Sequence, residues 1–296
     1  MKKGIPFSVG VITDEVSQSL AEAIDFCKGF GLTALELRSV DGVSPFEWTE
    51  EQVKEMKALC DEQGMRVTAI SAPLFKCEID DREAVAAHVA SFERLCGFAK
   101  ILGAELIRGF DFWDCGASLE ARAKEYLPII ELCEKYDVRC ALEYDPKVHS
   151  SDPIKLSAMV SAIDHPRIGA LYDPGNGLFS NPAITPYPQG YEALADKLCH
   201  VHVKDAVVND SAMGAEGVCV GQGQVDWHGL FTRLLADGYT GCVMLETHYR
   251  KNIELTEEQL QRPGGYGFSE GAYGASLESM EALLSIIKQV QKGFES

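Results

Sequence analysis

Long apolar runs are absent from this sequence of 296 residues, because no stretch approaches the roughly 20 residues that a membrane-spanning helix requires. The first residues, MKKGIPFSVGVITDE, also lack the pattern of a signal peptide. Glycine, serine and an acidic pair interrupt their apolar residues, and no cleavage site of small residues follows. We therefore expect a cytoplasmic protein without a membrane anchor.

Paired cysteines and positive charge are scarce as well. The ten cysteines show no C-x-x-C spacing and most lie in apolar runs, which predicts buried, reduced thiols rather than disulfides. Only 27 lysines and arginines stand against 45 aspartates and glutamates, a formal charge of -18. Because an acidic surface repels phosphate backbones and anionic lipid, we expect no nucleic acid or membrane partner, and a small molecule is favoured.

The sequence does contain a regular alternation of short apolar runs with amphipathic stretches. The apolar runs are PFSVGVIT, TALELR, RVTAISA, AELIRGF, VRCALEY, RIGALYD, LCHVHVK and GCVMLE. Eight strands that alternate with helices predict an α/β fold, the parallel (β/α)8 TIM barrel. No Pro/Ser-rich hinge or low-complexity segment divides the chain, so residues 1–296 are expected to form one domain.

Helix starts and long loops can also be predicted. Ser17 is expected to open the first helix and Thr49 the second. Two extended loops are predicted, NPAITPYPQGYE after the sixth strand and a Gly-rich segment from Tyr249 to about Ser276 after the eighth. Both would lie at the C-terminal ends of the strands, where barrel enzymes keep their chemistry.

Alternation within the last four strands turns polar side chains into the barrel. In CHVHVKD the apolar residues must pack outward under the helices, so His200, His202 and Lys204 face inward. The same alternation turns a carboxylate inward near the end of the fifth, sixth and eighth strands. Three convergent carboxylates repel one another unless a cation lies between them. The sequence thus predicts one metal site, formed by Glu143, Asp173, His202 and Glu246.

Three carboxylates and one neutral imidazole are mostly hard oxygen ligands. This set favours Mn²⁺, then Mg²⁺, with Co²⁺ and Zn²⁺ as alternatives, and it excludes a thiolate-rich zinc site. Four protein ligands leave open positions on a six-coordinate ion, which suit two neighbouring oxygens of a hydroxy-ketone. A cation there would acidify the C–H beside the carbonyl and stabilise an enediolate.

A nucleotide cofactor is not expected. The glycines of GQGQVDW match neither the P-loop nor the dinucleotide fingerprint. Asp226 is better placed as the N-terminal cap of the helix WHGLFTRLLADG.

The segments ALEYDP, ALYDPGN, HVHVKDA and GQGQVDWHGLF, with GYTGCVMLETH further on, resemble the sugar phosphate isomerase/epimerase group of the xylose-isomerase-like barrel superfamily. The resemblance covers nearly the whole chain. It implies that the four residues named above bind the metal and that Glu143 and Glu246 carry protons on opposite faces of the substrate. Such a pair supports either epimerisation or aldose–ketose isomerisation.

The chain departs from its relatives at two places. Some relatives carry a histidine three residues after the sixth-strand aspartate, where this chain has Asn176, so an amide contact to substrate is expected there. Related nucleases need histidines at the ends of the third and fourth strands, where this chain has Ser71 and Gly109. The acidic surface adds to the case against a nuclease.

Further substrate contacts are predicted with an alternative for each. Glu36 and Arg38 face inward and either pair with each other or contact substrate. Lys204 either binds a substrate oxygen or phosphate or neutralises neighbouring carboxylates. His248 either reaches the pocket or lies on the surface, and Trp113 either forms an apolar wall for a sugar ring or packs in the fold.

The leading hypothesis is a metal-dependent isomerase or 3-epimerase of a ketose or related polyol. The first alternative is a lyase of the same fold that dehydrates an inosose or 3-dehydroshikimate, or that cleaves a 3-keto-glycoside. The second is a sugar-binding barrel without catalysis. Relatives often dimerise, so a homo-oligomer is a further expectation.

Overall fold

The computed structural model describes residues 5–209 and 214–295, so the first four residues, which begin the segment considered for a signal peptide, lie outside it. The barrel strands are β1 Ser8–Ile12, β2 Ala34–Leu37, β3 Arg66–Leu74, β4 Leu106–Gly109, β5 Arg139–Glu143, β6 Ile168–Tyr172, β7 Leu198–Val203 and β10 Cys242–Leu245. These eight parallel strands close into a barrel in the order β1-β10-β7-β6-β5-β4-β3-β2. This confirms the predicted TIM barrel.

Helices surround the barrel and fill its loops. In chain order they are α1 Leu20–Gly29, α2 Glu50–Glu62, α3 Arg82–Leu102, α4 Leu119–Lys124, α5 Leu127–Tyr136, α6 Pro153–Ile163, α7 Pro174–Ser180, α8 Tyr191–Leu194, α9 Trp227–Ala236, α10 Glu257–Gln261, α11 Gly265–Ser269 and α12 Ala272–Glu295. None of the helices in the described part of the chain is long and apolar enough to cross a membrane.

The barrel separates two apolar regions, as alternation along the strands requires. The outward side chains of the strands join one large core with the helices; Val201 and Val243 are fully buried there. Ala141 and Met244 belong to two smaller clusters inside the barrel. Side chains at alternate positions of the strands therefore face the helices or the barrel interior, the pattern from which the inward carboxylates are predicted.

Helix starts follow the capping residues, with one correction. Thr49 caps α2 in a complete capping box, and Asp226 caps α9 by accepting a hydrogen bond from the backbone N–H of Gly229. The first helix begins at Leu20 with Ser19 as its cap, so the prediction of Ser17 is wrong. The Ser17 hydroxyl instead contacts Glu22 and the backbone of Ser19.

The loops contain more regular structure than the sequence indicated. A hairpin of β8 Asp205–Val208 and β9 Ala215–Val218 follows β7 directly and was not predicted. The predicted long segment after the barrel's last strand contains α10 and α11. It ends where α12 begins at Ala272, a few residues before the predicted limit.

A single buried carboxylate organises the Gly-rich segment after the hairpin. Asp205 accepts hydrogen bonds from the backbone N–H groups of Gly221 (2.8 Å), Gly223 (3.2 Å) and Val225 (3.3 Å) and from Nε1 of Trp227 (3.0 Å). A Cβ atom on Gly223 would overlap the Asp205 carboxylate. The glycines of GQGQVDW therefore allow a close approach of the backbone to the Asp205 carboxylate.

We predict that Gly223→Ala lowers the free energy of unfolding by about 1–3 kcal/mol, because the added methyl group displaces the Asp205 carboxylate from its donors. Gly97 in α3 is the matched control, since a Cβ there meets no atom within 4 Å. Gly97→Ala should raise the free energy of unfolding by about 0.5–1 kcal/mol. Urea unfolding of both variants measures the difference, and equal stability of the two would contradict this account.

Candidate metal centre

Four side chains predicted as metal ligands converge at the C-terminal end of the barrel. One ligand atom from each of Glu143, Asp173, His202 and Glu246 lies within 4.8 Å of every other. All four side chains are buried. They come from the ends of β5, β6, β7 and β10, which are adjacent in the barrel. The donor set of three carboxylates and one imidazole fits a divalent cation.

The imidazole of His202 is oriented by a carboxylate on its far side. Its Nδ1 faces the cluster, 3.1 Å from Oε2 of Glu246 and 3.4 Å from Oε1 of Glu143. Its Nε2 lies 3.2 Å from both carboxylate oxygens of Glu36. A proton on Nε2 would then be donated to Glu36 and leave the Nδ1 lone pair for a metal, an arrangement common for metal-binding histidines.

Glu36 lies on the far side of His202 from the cluster and contacts further polar groups there. Its carboxylate accepts a hydrogen bond from the Ser71 hydroxyl and lies 2.7 Å from Nε2 of His200. Within residues 5–209 and 214–295 no ion pair joins Glu36 to Arg38, so of the two alternatives for these residues the pairing with each other is wrong. The Glu36 carboxylate contacts His200 and His202 instead of Arg38.

Lys204 and Asn176 contact the cluster rather than the open cavity. The Lys204 ammonium lies 2.7 Å from Oδ2 of Asp173 and 3.0 Å from Oε2 of Glu246. Asn176 donates from Nδ2 to Oε1 of Glu143 at 3.1 Å and accepts from Lys204 at 3.1 Å. Of the two alternatives for Lys204, the contacts favour neutralisation of its carboxylate neighbours.

Two arginines complete the charge balance. Arg38 donates from Nη1 to Oε1 of Glu246 at 2.6 Å, and its other nitrogens contact Asp14 at 2.9 Å and Glu15 at 2.6 Å. Arg108 donates from Nη1 to Oε2 of Glu143 at 3.1 Å. Arginine's planar fork suits such multiple carboxylate contacts.

Sequence reasoning missed three of these residues although each had a signal. Alternation around the outward Ile107 places Arg108 inside the barrel. The acidic pair Asp14 and Glu15 directly follows the first strand, at the end of the barrel that carries the cluster. In the sequence analysis above, this pair counts only against a signal peptide, although its position after the first strand indicates a place near the site.

The charges in the cluster act strongly on one another. Burial raises the pKa of Asp173 to about 7, although Lys204 acts in the opposite direction. Burial also favours the neutral form of Glu143, but Arg108 and His202 outweigh it and lower the pKa to about 2. The pKa of His202 is well above its usual value because Glu36 and Glu246 outweigh the effect of burial. The centre therefore attracts positive charge, as a proton on imidazole or as a bound cation.

His248 and Trp113 lie near the centre in different ways. The His248 ring is buried against Phe268 and lies 3.5 Å from Oε1 of Glu246, so the surface alternative for it is wrong. Burial lowers its pKa to about 3. The Trp113 ring lies under the cations of Lys76 and Arg262, 5.7 Å and 6.0 Å from its centroid. Trp113 does not belong to the lining of the cavity beside Arg38 and Arg108, whereas Phe46 and Phe110 do.

A cavity of about 430 Å³ lies beside Arg38 and Arg108, the two arginines that contact the cluster, and none of the four predicted ligands lines it. Arg38, Ser71 and Arg108 line it on the barrel side, and Arg262 to Gly265 line it from the loop between α10 and α11. Its size is in the range of small-molecule sites. The arginines lie between the cavity and the carboxylates that they contact.

Fold and site together define a (β/α)8 barrel with a carboxylate–histidine cluster at the C-terminal ends of its strands. The chain belongs to the family described as xylose isomerase-like TIM barrel, whose model matches residues 24–282. No curated protein is significantly similar to the chain in sequence.

Solved structures share the fold along nearly the whole chain. An L-ribulose 3-epimerase has a TM-score of 0.73 at 14% identity and covers 98% of this chain and 97% of its own. A xylose isomerase-like TIM barrel protein from Mycobacterium smegmatis in complex with magnesium has a TM-score of 0.70 at 15% identity, with 97% and 98% covered. The probable 3-DHS dehydratase AsbF from Bacillus anthracis has a TM-score of 0.67 at 16% identity, with 94% and 99% covered. At such identities the likeness establishes the fold alone.

We predict that Glu36→Gln weakens divalent-metal affinity by about 10- to 100-fold, because an amide orients the His202 ring less well than a carboxylate. A competition titration against a fluorescent chelator with Mn²⁺ measures the change. Glu47→Gln is the control, since Glu47 is an exposed carboxylate on the cavity wall and forms no ion pair with any described residue. Unchanged affinity in Glu36→Gln would refute the orienting role.

Proposed function

We propose that the protein is a divalent-metal-dependent isomerase or 3-epimerase of a ketose or related polyol, with Mn²⁺ as its preferred ion. The observation that carries the proposal is the convergence of three carboxylates and one imidazole, with ligand atoms within 4.8 Å of one another. A cavity of sugar size is lined by the two arginines that contact Glu143 and Glu246. The similarity in fold to an L-ribulose 3-epimerase and to a magnesium complex adds support.

The cation, when bound by these four residues, would withdraw electrons from the substrate's carbonyl and stabilise the negative charge that develops on its oxygens. The protein supplies the proton transfers. Glu143 and Glu246 are attached to different strands, β5 and β10, which are separated in the barrel by β6 and β7. One carboxylate can therefore remove a proton from one side of a carbon while the other returns a proton from the opposite side, which inverts that carbon.

The surrounding cations keep both glutamates ionised, the form that a proton acceptor must have. Arg108 donates to Oε2 of Glu143 and Arg38 donates to Oε1 of Glu246. Charge-assisted hydrogen bonds of this kind stabilise the ionised form and hold the carboxylate in one orientation. We assign Arg38, Arg108 and Glu36 to positioning and Asn176 to the support of Glu143.

A lyase of the same fold is the second candidate, because the probable dehydratase from Bacillus anthracis has a comparable fold. Removal of the same proton followed by loss of a leaving group would give an unsaturated product. Incubation with ketones in deuterium oxide separates the two, since an epimerase exchanges a C–H without release of water. A sugar-binding barrel without catalysis would bind the ketone and give no exchange.

We predict that Glu143→Gln and Glu246→Gln each reduce solvent exchange by about 10²- to 10⁴-fold, because an amide cannot carry the proton. Exchange of a ketose C–H is followed by NMR in deuterium oxide with saturating Mn²⁺. A chelator should abolish exchange by the unaltered protein, and added Mn²⁺ should restore it.

Asp173→Asn is the matched control for these variants. It also removes a ligand charge from the cluster but leaves both proposed proton carriers, so excess Mn²⁺ should restore much of its activity. Excess metal should not rescue the two glutamate variants. Full turnover in Glu246→Gln, or exchange that persists in the chelated protein, would refute the proposed chemistry.

A further inference from the structure

The cavity lined by Arg38 and Arg108 has more positive than negative side chains, although the protein as a whole has more acidic than basic residues. Its charged lining consists of Arg38, Lys76, Arg108 and Arg262 against Glu47. The whole sequence has 27 basic and 45 acidic residues. A lining that followed the composition would be acidic, so the positive charge of the cavity requires a cause.

Neutralisation of the metal ligands accounts for only two of the four cations. Arg38 contacts Glu246 at 2.6 Å and Arg108 contacts Glu143 at 3.1 Å. Within residues 5–209 and 214–295, neither Lys76 nor Arg262 forms an ion pair with any of the four predicted ligands. These two lie on the part of the wall formed by the end of β3 and by the loop after α10.

Lys76 is a buried cation whose ammonium can donate one more hydrogen bond. Its ammonium donates to Oδ2 of Asp145 at 2.8 Å and to the carbonyl of Gln261 at 2.6 Å. In the described part of the chain these contacts leave one of its three N–H groups without an acceptor. Burial lowers the pKa of Lys76 and the neighbouring Arg108 lowers it further, against the attraction of Asp145. An added negative charge would relieve this crowding.

The two arginines on either side of Lys76 also have unused donors. Nε of Arg108 is buried and has no hydrogen-bond partner among the described residues. Arg262 is exposed at the rim and contacts the backbone carbonyl of Lys76 at 3.4 Å, but it has no carboxylate partner in the described part of the chain. Arg108 and Lys76 both lie against the Phe110 ring, 4.9 Å and 4.3 Å from its centroid. Positive groups thus extend from the cluster to the rim.

We propose that the substrate carries an oxyanion, a carboxylate or a phosphate, on the end remote from its reacting carbons, and that Arg108, Lys76 and Arg262 bind this group. The inference rests on the proposed function, because it takes the metal cluster as the place where the reacting carbons lie. A guanidinium group can donate two parallel hydrogen bonds to two oxygens of a carboxylate or a phosphate, and a lysine ammonium adds a compact positive charge.

The test measures binding rather than turnover. The Mn²⁺-loaded protein is titrated by calorimetry with D-fructose, D-fructose 6-phosphate and D-fructuronate, three ketoses that differ at C6 as alcohol, phosphate or carboxylate. Arg262→Gln removes the rim charge at an exposed position where folding is not at stake, and Arg262→Lys keeps the charge. Arg66→Gln is the matched control, since Arg66 is an exposed arginine at the start of β3, the opposite end of the barrel.

We expect one of the anionic ketoses to bind the unaltered protein and Arg66→Gln about 10- to 100-fold more tightly than D-fructose. Arg262→Gln should lose most of this advantage and Arg262→Lys should keep most of it. The anion that shows the advantage identifies phosphate or carboxylate as the group recognised. Equal binding of all three ketoses, no binding of any, or an advantage that survives in Arg262→Gln overturns the proposal. Anion preference without solvent exchange would reject the proposed chemistry and leave the binding site standing.

Discussion

Mutual repulsion of three buried carboxylates is the constraint on which the site depends. Two unit charges about 4 Å apart interact by roughly 4 kcal/mol at the effective dielectric constant of a protein site. Glu143, Asp173 and Glu246 lie within that range of one another and are shielded from water. Their convergence is tolerable only where positive charge is held among them, which Lys204 and the two arginines provide and which a divalent cation would increase.

The barrel meets this constraint through register and close packing. His202 pairs with Met244 in the ladder between β7 and β10, and the backbone N–H of Glu246 donates to the carbonyl of Val203. This register places the side chains of His202 and Glu246 at the same end of the barrel. A Cβ atom on Gly175 would overlap the side chain and carbonyl of Lys204. The start of α7 can therefore pack against Lys204 and hold its ammonium beside Asp173.

The sequence predicted the parts of the site that strand alternation governs and missed those set by long-range contacts. Side chains alternate between the two faces of a strand, and the outward positions of a barrel strand must be apolar. The polar His202 and its carboxylate neighbours are therefore predicted to face the barrel interior. Strand alternation could not show that Glu36 would contact the two histidines of β7, because Glu36 and His200 are 164 positions apart in the sequence. The hairpin after β7 was missed for a related reason, since its short strands pair only with each other and the contact of Ala206 and Val208 with the core is too short to give a periodic apolar pattern. Ser17 and Ser19 are both good caps, and only the path of the backbone selects Ser19.

An acidic protein can still attract an anion, because charges act over different distances inside and outside the fold. At physiological ionic strength the Debye length is about 8 Å, so the carboxylates on the outer surface are screened from a ligand that has entered the cavity. Lys76 and Arg108 are buried and act on that ligand at a lower effective dielectric constant. In the proposed anion site these cations would act on the ligand more strongly than the screened surface carboxylates that give the net charge of -18. The metal cluster would determine which C–H is acidified, while the cations of the cavity wall would determine which molecule presents it.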